Sequence, residues 1–277
     1  MKNIILTIFA FSMLSLTTIA NAKTIRIGTE GAYPPWNNLN AAGELEGAEI
    51  DFGNEACKRM GVDCEWITQD WDGIIPALLN GKYDIIIAGM SITEERKEKV
   101  NFTNGYMTDG ARFAVLKGSG LENLEVAGMD KVNLNDAGGK EQAAIGQLIA
   151  AMNGKTVCVQ SATIHQNFLD KHMAGAVEVK LYSDVDTTNL DLIAGRCDAI
   201  LADVGSTIDY MATDVGTNVA FTGPTFSGGV FGDGVGGAVK KEDFFILDMW
   251  NKVIAEMLAD GSLSDITKEH FGRDISM

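Results

Sequence analysis

Arg96, in the run SITEERKEKV, stands five positions after Ser91 and three after Thr93, a residue type suited to capping a helix start. A guanidinium placed there can turn back toward the preceding segment and offer a planar fork to a carboxylate. The backbone N–H groups near Ser91 and Thr163, both at expected helix starts, favour an anion in the same way. Asp203, which follows the apolar run AILA, can accept from an ammonium. Glu30, in GTEGAYPPWN, follows an apolar strand, and Tyr33, Trp36 and Trp71 gather near the same point. A carboxylate among aromatic faces suits a flat cation, each cation–π contact contributing about 0.5 to 2 kcal/mol. These residue types together describe recognition of a small zwitterion with a cationic side chain. Each also has a plainer reading: Arg96 as a solvated helix charge, Trp36 and Trp71 as core, Asp72 as an N-cap beside Trp71.

Motifs for catalysis are missing. The chain has no GxSxG, P-loop, HExxH or Rossmann fingerprint, and its three histidines are His165, His172 and His270. His172 and His270 stand in charged helical surroundings and are expected to be solvated. His165 opens a helix, where it can touch a ligand or simply lie on the helix surface. No spacing of His, Cys, Asp or Glu suggests a metal, and no cofactor is implied.

Two related stretches show which elements must carry these residues. LLNGKYDIIIAGMS, from Leu78 to Ser91, is matched 114 positions later by LIAGRCDAILADVG, from Leu192 to Gly205, and the two diverge at Gly89 and Asp203. Each is the end of a longer unit. The first unit reads strand 25–28, helix 51–60, strand 64–68, helix 74–79 and strand 84–88. The second reads strand 157–160, helix 164–171, strand 177–182, helix 189–193 and strand 198–202. Short apolar strands alternating with helices predict parallel βαβ units with helices on both sheet faces. Ligand groups in such sheets lie beyond the carboxyl ends of the strands, here 29–36 and 89–91 facing 161–163 and Asp203.

A strand over 111–116 leaves the first unit, and the glycine-rich stretch from Gly223 to Val239 returns to it, so a hinge of two strands is expected. A helix over 243–259 should dock back on the first unit and stop at Asp260-Gly261. Residues 118–154 form an insertion with one amphipathic helix near 142–152 and no assigned site. The organisation expected is thus residues 23–110 as the first part of lobe 1, 111–230 as lobe 2, and 231–277 returning to lobe 1.

Residues 1–22 carry Lys2, an apolar run from Ile4 to Leu16 and the small-x-small triplet Ala20-Asn21-Ala22, the pattern of an export signal cleaved after Ala22. No later segment is apolar for the roughly 20 residues that a membrane helix needs. The formal charge of −16 becomes −17 with loss of Lys2, a balance that disfavours phosphate-backbone partners and nucleic acid. In an oxidising compartment, Cys57 and Cys64, seven apart around a helix end at Gly61, predict a local disulfide. Cys158 and Cys197, in or beside buried strands, are expected to be free core thiols.

The runs IRIGTEGAYPPWN, GELEGAEIDFGNEACKRMGVDC, WDGIIPAL, YDIIIAGMSITEERKEKVNFT and GRCDAILAD resemble those of the polar amino-acid substrate-binding proteins of ABC importers, in the lysine/arginine/ornithine and histidine branch. The resemblance covers nearly all of the chain after residue 22. It implies an α/β, two-lobed periplasmic binding protein type II fold, a periplasmic location, a membrane permease as partner, and monomeric delivery. It also implies that the ligand α-carboxylate meets Arg96 and backbone near Ser91 and Thr163, and that the α-ammonium meets Asp203 with help from Gly89. The basic side chain would then lie between Tyr33 and Trp71 and reach Glu30. Ala88, Met90, His165 and Trp36 are further candidate contacts.

The departures shape the expected ligand. Ala88-Gly89 stands where basic amino-acid binders often place two serines, which removes hydroxyls and opens space. The insertion, EGAYPPWN and TFSGG look more like opine binders of the octopine or nopaline kind. Asp203 would crowd the second carboxylate of an opine, which favours arginine, lysine or ornithine. An enzyme resembling periplasmic cyclohexadienyl dehydratases is the rival from another class. A receptor's sensing module is a third, and with no signalling segment before Met277 it would need a separate partner.

Overall fold

The computed structural model describes residues 24–136 and 138–277. The export signal and its cleavage point lie outside them. Among the described residues no helix is long and apolar enough to cross a membrane.

The chain runs β1 (Thr24–Thr29), β2 (Ala32–Tyr33), β3 (Asn37–Leu39), β4 (Leu45–Glu46), α1 (Ala48–Met60), β5 (Asp63–Thr68), α2 (Ile74–Leu79), β6 (Ile85–Ile86), α3 (Glu94–Lys97) and β7 (Asn101–Phe102). It continues through β8 (Ala111–Leu116), β9 (Lys131–Asn133), α4 (Gly139–Met152), β10 (Thr156–Gln160), α5 (Ile164–His172), β11 (Glu178–Tyr182), α6 (Val185–Ile193), β12 (Ala199–Asp203), α7 (Val204–Met211) and β13 (Val219–Ser227). β14 (Ala238–Val239), α8 (Phe244–Ala259) and α9 (Ser262–Phe271) follow.

Two mixed sheets result. One has the order β5-β1-β6-β14-β7 and the other β11-β10-β12-β8-β13-β9; β2, β3 and β4 make a small antiparallel sheet of their own. In the first, β1 pairs parallel with both β5 and β6, Ile27 lying opposite Ile85. In the second, β10 pairs parallel with both β11 and β12, Val157 lying opposite Ala199. The duplicated sequence is therefore a duplicated βαβαβ unit, and in each copy the first strand sits between the other two. At the connections, Tyr106 N donates to Val235 O and Val235 N to Met107 O, so the outgoing and returning chains pair with each other.

Local chemistry accounts for the element ends. α1 begins after Gly47 (φ 120°), where a Cβ would fall 2.6 Å from the Trp36 carbonyl oxygen, and it stops at the left-handed Gly61. Its buried face includes Phe52, which packs 5.8 Å from the Trp250 ring of α8, so the returning helix docks on the first unit. Burial of each such ring stabilises the fold by roughly 2 kcal/mol. α6 starts at Val185, four residues before the expected Asn189, because Asp184 Oδ1 accepts from Thr187 N at 2.7 Å and caps it. α7, α9 and the small sheet are additions to the elements expected from the sequence. The insertion supplies β9 to the second sheet's edge, and its helix α4 buries Ala144, Leu148 and Met152 in that lobe's core.

Three expectations are corrected. Cys158 and Cys197 are not free thiols; with Cα atoms 5.8 Å apart they form a disulfide, beside the expected one between Cys57 and Cys64. The 39-residue separation carries no local signal, although closing so long a loop restricts the unfolded chain by about 4 kcal/mol, against about 2.5 for the shorter one. His270 is not simply solvated, since its Nε2 lies 2.7 Å from Asp51 Oδ2 on α1. His172 is half-buried with its ring 5.0 Å from that of Phe168, and burial lowers its pKa, as does Lys171.

Candidate functional site

The carboxyl ends of β1, β10 and β12 and the loop after β6 face one another across a cleft of about 330 Å³, counted with the open solvent at its mouth. From the first lobe Glu30, Tyr33, Trp71, Ala88, Gly89, Ser91 and Arg96 line it; from the second come Gln160, Thr163, Ile164, His165 and Asp203. All eight principal candidates from the sequence thus meet in one place. Ala88 and His165 join them. Trp36 does not: it is fully buried in the first lobe's core, its ring 5.0 Å from Phe271, and Met90 turns into a neighbouring groove instead.

Arg96 is held as the spacing predicts. Thr93 Oγ1 caps α3 by accepting from Arg96 N at 3.2 Å, and Arg96 Nη1 donates back to Ser91 O at 3.0 Å. The guanidinium lies 5.2 Å from the Trp71 ring centre. Burial lowers its pKa to about 10, with Glu95 and Asp203 acting against that, so it remains a cation at neutral pH. A guanidinium has five N–H donors, and Ser91 O is the side chain's single hydrogen-bond partner among the described residues. The rest of the fork is available to an anion.

Glu30 presents the opposite charge about the same cleft. It is 9 % exposed, and burial pushes its carboxyl up to about 7, against the hydrogen bond from Gln160 and with Asp184, Asp70 and Asp72 adding to the rise. Gln160 Nε2 donates to Glu30 Oε1 at 2.6 Å, so a neutral amide stands where a cation would be favoured. Sequence reading missed Gln160 because it is the last residue of the strand expected over 157–160, and the rim was sought in the residues beyond it.

Asp203 ends β12. Its Oδ2 accepts from Tyr33 Oη at 2.8 Å, and its Oδ1 lies 3.1 Å from His165 Nε2. Burial and Asp203 push the Tyr33 hydroxyl well up, which keeps it protonated as a donor. Other bonds also join the lobes: Trp71 Nε1 donates to Ala162 O at 3.1 Å, and Ser161 Oγ to Asp72 Oδ1 at 2.8 Å. Asp72 is therefore an interlobe acceptor and not the N-cap that its position suggested. Thr163 caps α5, its Oγ1 accepting from Gln166 N.

Glu49 supports the first rim from behind. It is fully buried and accepts from Asn37 Nδ2 at 2.8 Å, from Gly89 N at 2.7 Å and from Tyr106 Oη, while Asn37 Oδ1 accepts from Gly31 N. One carboxylate thereby fixes both rim loops and reaches the chain crossing at Tyr106. Gly89, at φ +60°, completes the turn with its missing Cβ facing the Tyr33 ring at 3.5 Å. Glu49→Ala leaves three donors without this acceptor, those of Asn37 and Tyr106 fully buried and Gly89 N part-buried. It should lower stability by about 3 kcal/mol, seen as a Tm fall of roughly 10 °C in thermal unfolding.

Among the described residues no group of His, Cys, Asp or Glu could hold a metal ion. The arrangement suits binding by opposed charges.

Residues 25–273 match the family described as bacterial extracellular solute-binding proteins, family 3. The chain belongs to that family. This family 3 protein is 36% identical over 269 residues to an L-arginine-binding protein of Pseudomonas aeruginosa, covering 96% of this chain and 95% of that one. It is 38% identical over 225 residues to an octopine-binding periplasmic protein of Rhizobium meliloti, covering 81% of this chain and 76% of the relative. Among solved structures, an ancestral arginine-binding protein bound to arginine superimposes with a TM-score of 0.74 at 33% identity, over 90% of this chain and 98% of that one. The family 3 protein accordingly has the type II periplasmic binding protein fold that the resemblance implied, built on the parallel βαβ units expected from its repeat.

Proposed function

We propose that this family 3 protein captures a cationic amino acid, arginine foremost, in the periplasm and delivers it to the permease of an ABC importer. One observation carries the reading: a cleft with a cation and a carboxylate, Arg96 and Glu30, neither of which meets an opposite charge in a salt bridge among the described residues. The α-carboxylate would take the free fork of Arg96, the α-ammonium would join Asp203, and the side-chain cation would displace the Gln160 amide at Glu30 between Tyr33 and Trp71. No bond is made or broken. Ligand bridges the lobes, and closure about the paired connections at Met107 and Val235 is favoured because the closed form alone makes both sets of contacts.

The second reading is an opine. The small Ala88-Gly89 pair and the similarity to an octopine-binding protein favour it, while Asp203 disfavours a further carboxylate nearby. The test is thermal unfolding of protein stripped of ligand by unfolding and refolding, against arginine, lysine, ornithine, histidine, octopine, glutamine and glutamate. A ligand at about a thousand times its Kd stabilises by roughly 4 kcal/mol. Arginine and its relatives should raise the transition and glutamate should not. A response to octopine alone would replace the first reading by the second, and a response to none would overturn both. Absence of turnover with prephenate or arogenate would complete the contrast with a dehydratase.

A further inference from the structure

Three hydrogen bonds cross from one lobe to the other just outside the cleft. Trp71 Nε1 donates to Ala162 O at 3.1 Å, Ser161 Oγ to Asp72 Oδ1 at 2.8 Å and Asn167 Nδ2 to Glu95 Oε2 at 3.1 Å. On the first lobe, Trp71 and Asp72 come just before α2 and Glu95 lies in α3; on the second, Ser161 and Ala162 turn the chain from β10 into α5, which carries Asn167. Asp72, Glu95, Ala162 and Asn167 share one outer groove, and neither they nor Ser161 line the cleft. Ala162 stands at φ 55°, a left-handed conformation that an alanine enters only with strain, and in that turn its carbonyl meets the indole.

These bonds differ in kind from the two interlobe bonds inside the cleft. There, Tyr33 reaches Asp203 and Gln160 reaches Glu30, and a ligand competes for the same carboxylates. The outer three compete with no ligand group. The lobes are joined through the paired connections at Met107 and Val235, so a rotation that parts them breaks all three bonds, and closure restores them whatever side chain the ligand carries. Two of the three have a carboxylate as acceptor, the stronger class of hydrogen bond. Closure also buries Arg96 and Glu30, which have no ion-pair partner among the described residues, so the outer bonds add to the hold of a ligand and do not replace it.

Resting on the reading of the cleft as a site that closes on a cationic amino acid, we propose that Trp71, Asp72 and Glu95 on one lobe and Ser161, Ala162 and Asn167 on the other form a latch that slows the release of every ligand by the same factor. Apart from Trp71, which also faces the cleft, these are positioning residues. They set affinity through closure and leave the choice of ligand to Arg96, Glu30 and Asp203.

The double variant Ser161→Ala, Asn167→Ala removes two of the three bonds and, both residues being neutral, leaves every charge about the cleft in place. Calorimetry and stopped-flow kinetics on refolded protein, with arginine and with lysine, compare it with the unaltered chain. Kd should rise by about tenfold for both ligands with their ratio kept within about twofold, and the rise should come from faster dissociation while association barely changes. Ser161→Ala made on top of Asp72→Ala should cost almost nothing further, because the bond is already gone. A rise of less than about threefold overturns the latch, as does a ligand ratio that moves by more than about twofold. So does a loss carried by association, or an undiminished cost of Ser161→Ala in the Asp72→Ala protein. If the unaltered protein binds neither arginine nor lysine, it is the reading of the cleft that fails, and this inference with it.

Discussion

Arg96→Ala is expected to lower the affinity for arginine by about 100- to 1,000-fold, the cost of leaving a desolvated carboxylate without its charged partner. The loss should be nearly the same for every amino acid that the cleft accepts, because the α-carboxylate is common to all of them. Arg96→Lys should recover only part of it, since an ammonium keeps the charge but not the planar fork that faces away from Ser91 O. Calorimetry on refolded protein measures both. Affinity within about tenfold of the unaltered protein would return Arg96 to the status of a helix charge stacked on Trp71.

Glu30→Gln should separate ligands by charge. Arginine and lysine should weaken by about 30- to 1,000-fold, as for a buried ion pair that loses one member, and any neutral ligand should change little. A pH signature accompanies it. Burial holds the Glu30 carboxyl at about 7 in the unliganded protein, and a ligand cation favours its ionised form. Below about pH 7, binding therefore expels a proton, and affinity for arginine falls as pH drops through that value, by up to about tenfold per unit. Above it, affinity is flat in this group. The unliganded fold shows the opposite trend: its raised carboxyl holds a proton that the unfolded chain releases, so from this group stability increases as pH falls from about 7 toward 4.5. Titrations at several pH values, with Glu30→Gln as the flat control, distinguish the two effects. Equal loss for cationic and neutral ligands would contradict the role given to Glu30.

Much of this was legible because it is periodic or local. The two copies of strand, helix and strand ending at Gly89 and Asp203 fixed which chain ends would face each other, and Thr93 three residues before Arg96 fixed that side chain's return. What could not be read depends on partners far apart in sequence. Cys158 and Cys197 meet across β10 and the turn before β12. Glu49 joins Asn37, Gly89 and Tyr106 only after three segments have packed. Trp36 is ambiguous in sequence for the same reason, because the ring it packs against, Phe271, belongs to α9, more than 200 residues further along the chain.

The order of strands in the two sheets also sets a timetable for assembly. All strands of the second sheet lie between Ala111 and Ser227, whereas the first sheet needs β14, and its core needs α8 and α9, from the far end of the chain. A chain emerging N-terminus first can close the second lobe and pair Cys158 with Cys197 while the first still lacks a strand and two helices. The rim carrying Arg96 and Glu30 must wait, unsupported by its full core, until residue 271 has emerged.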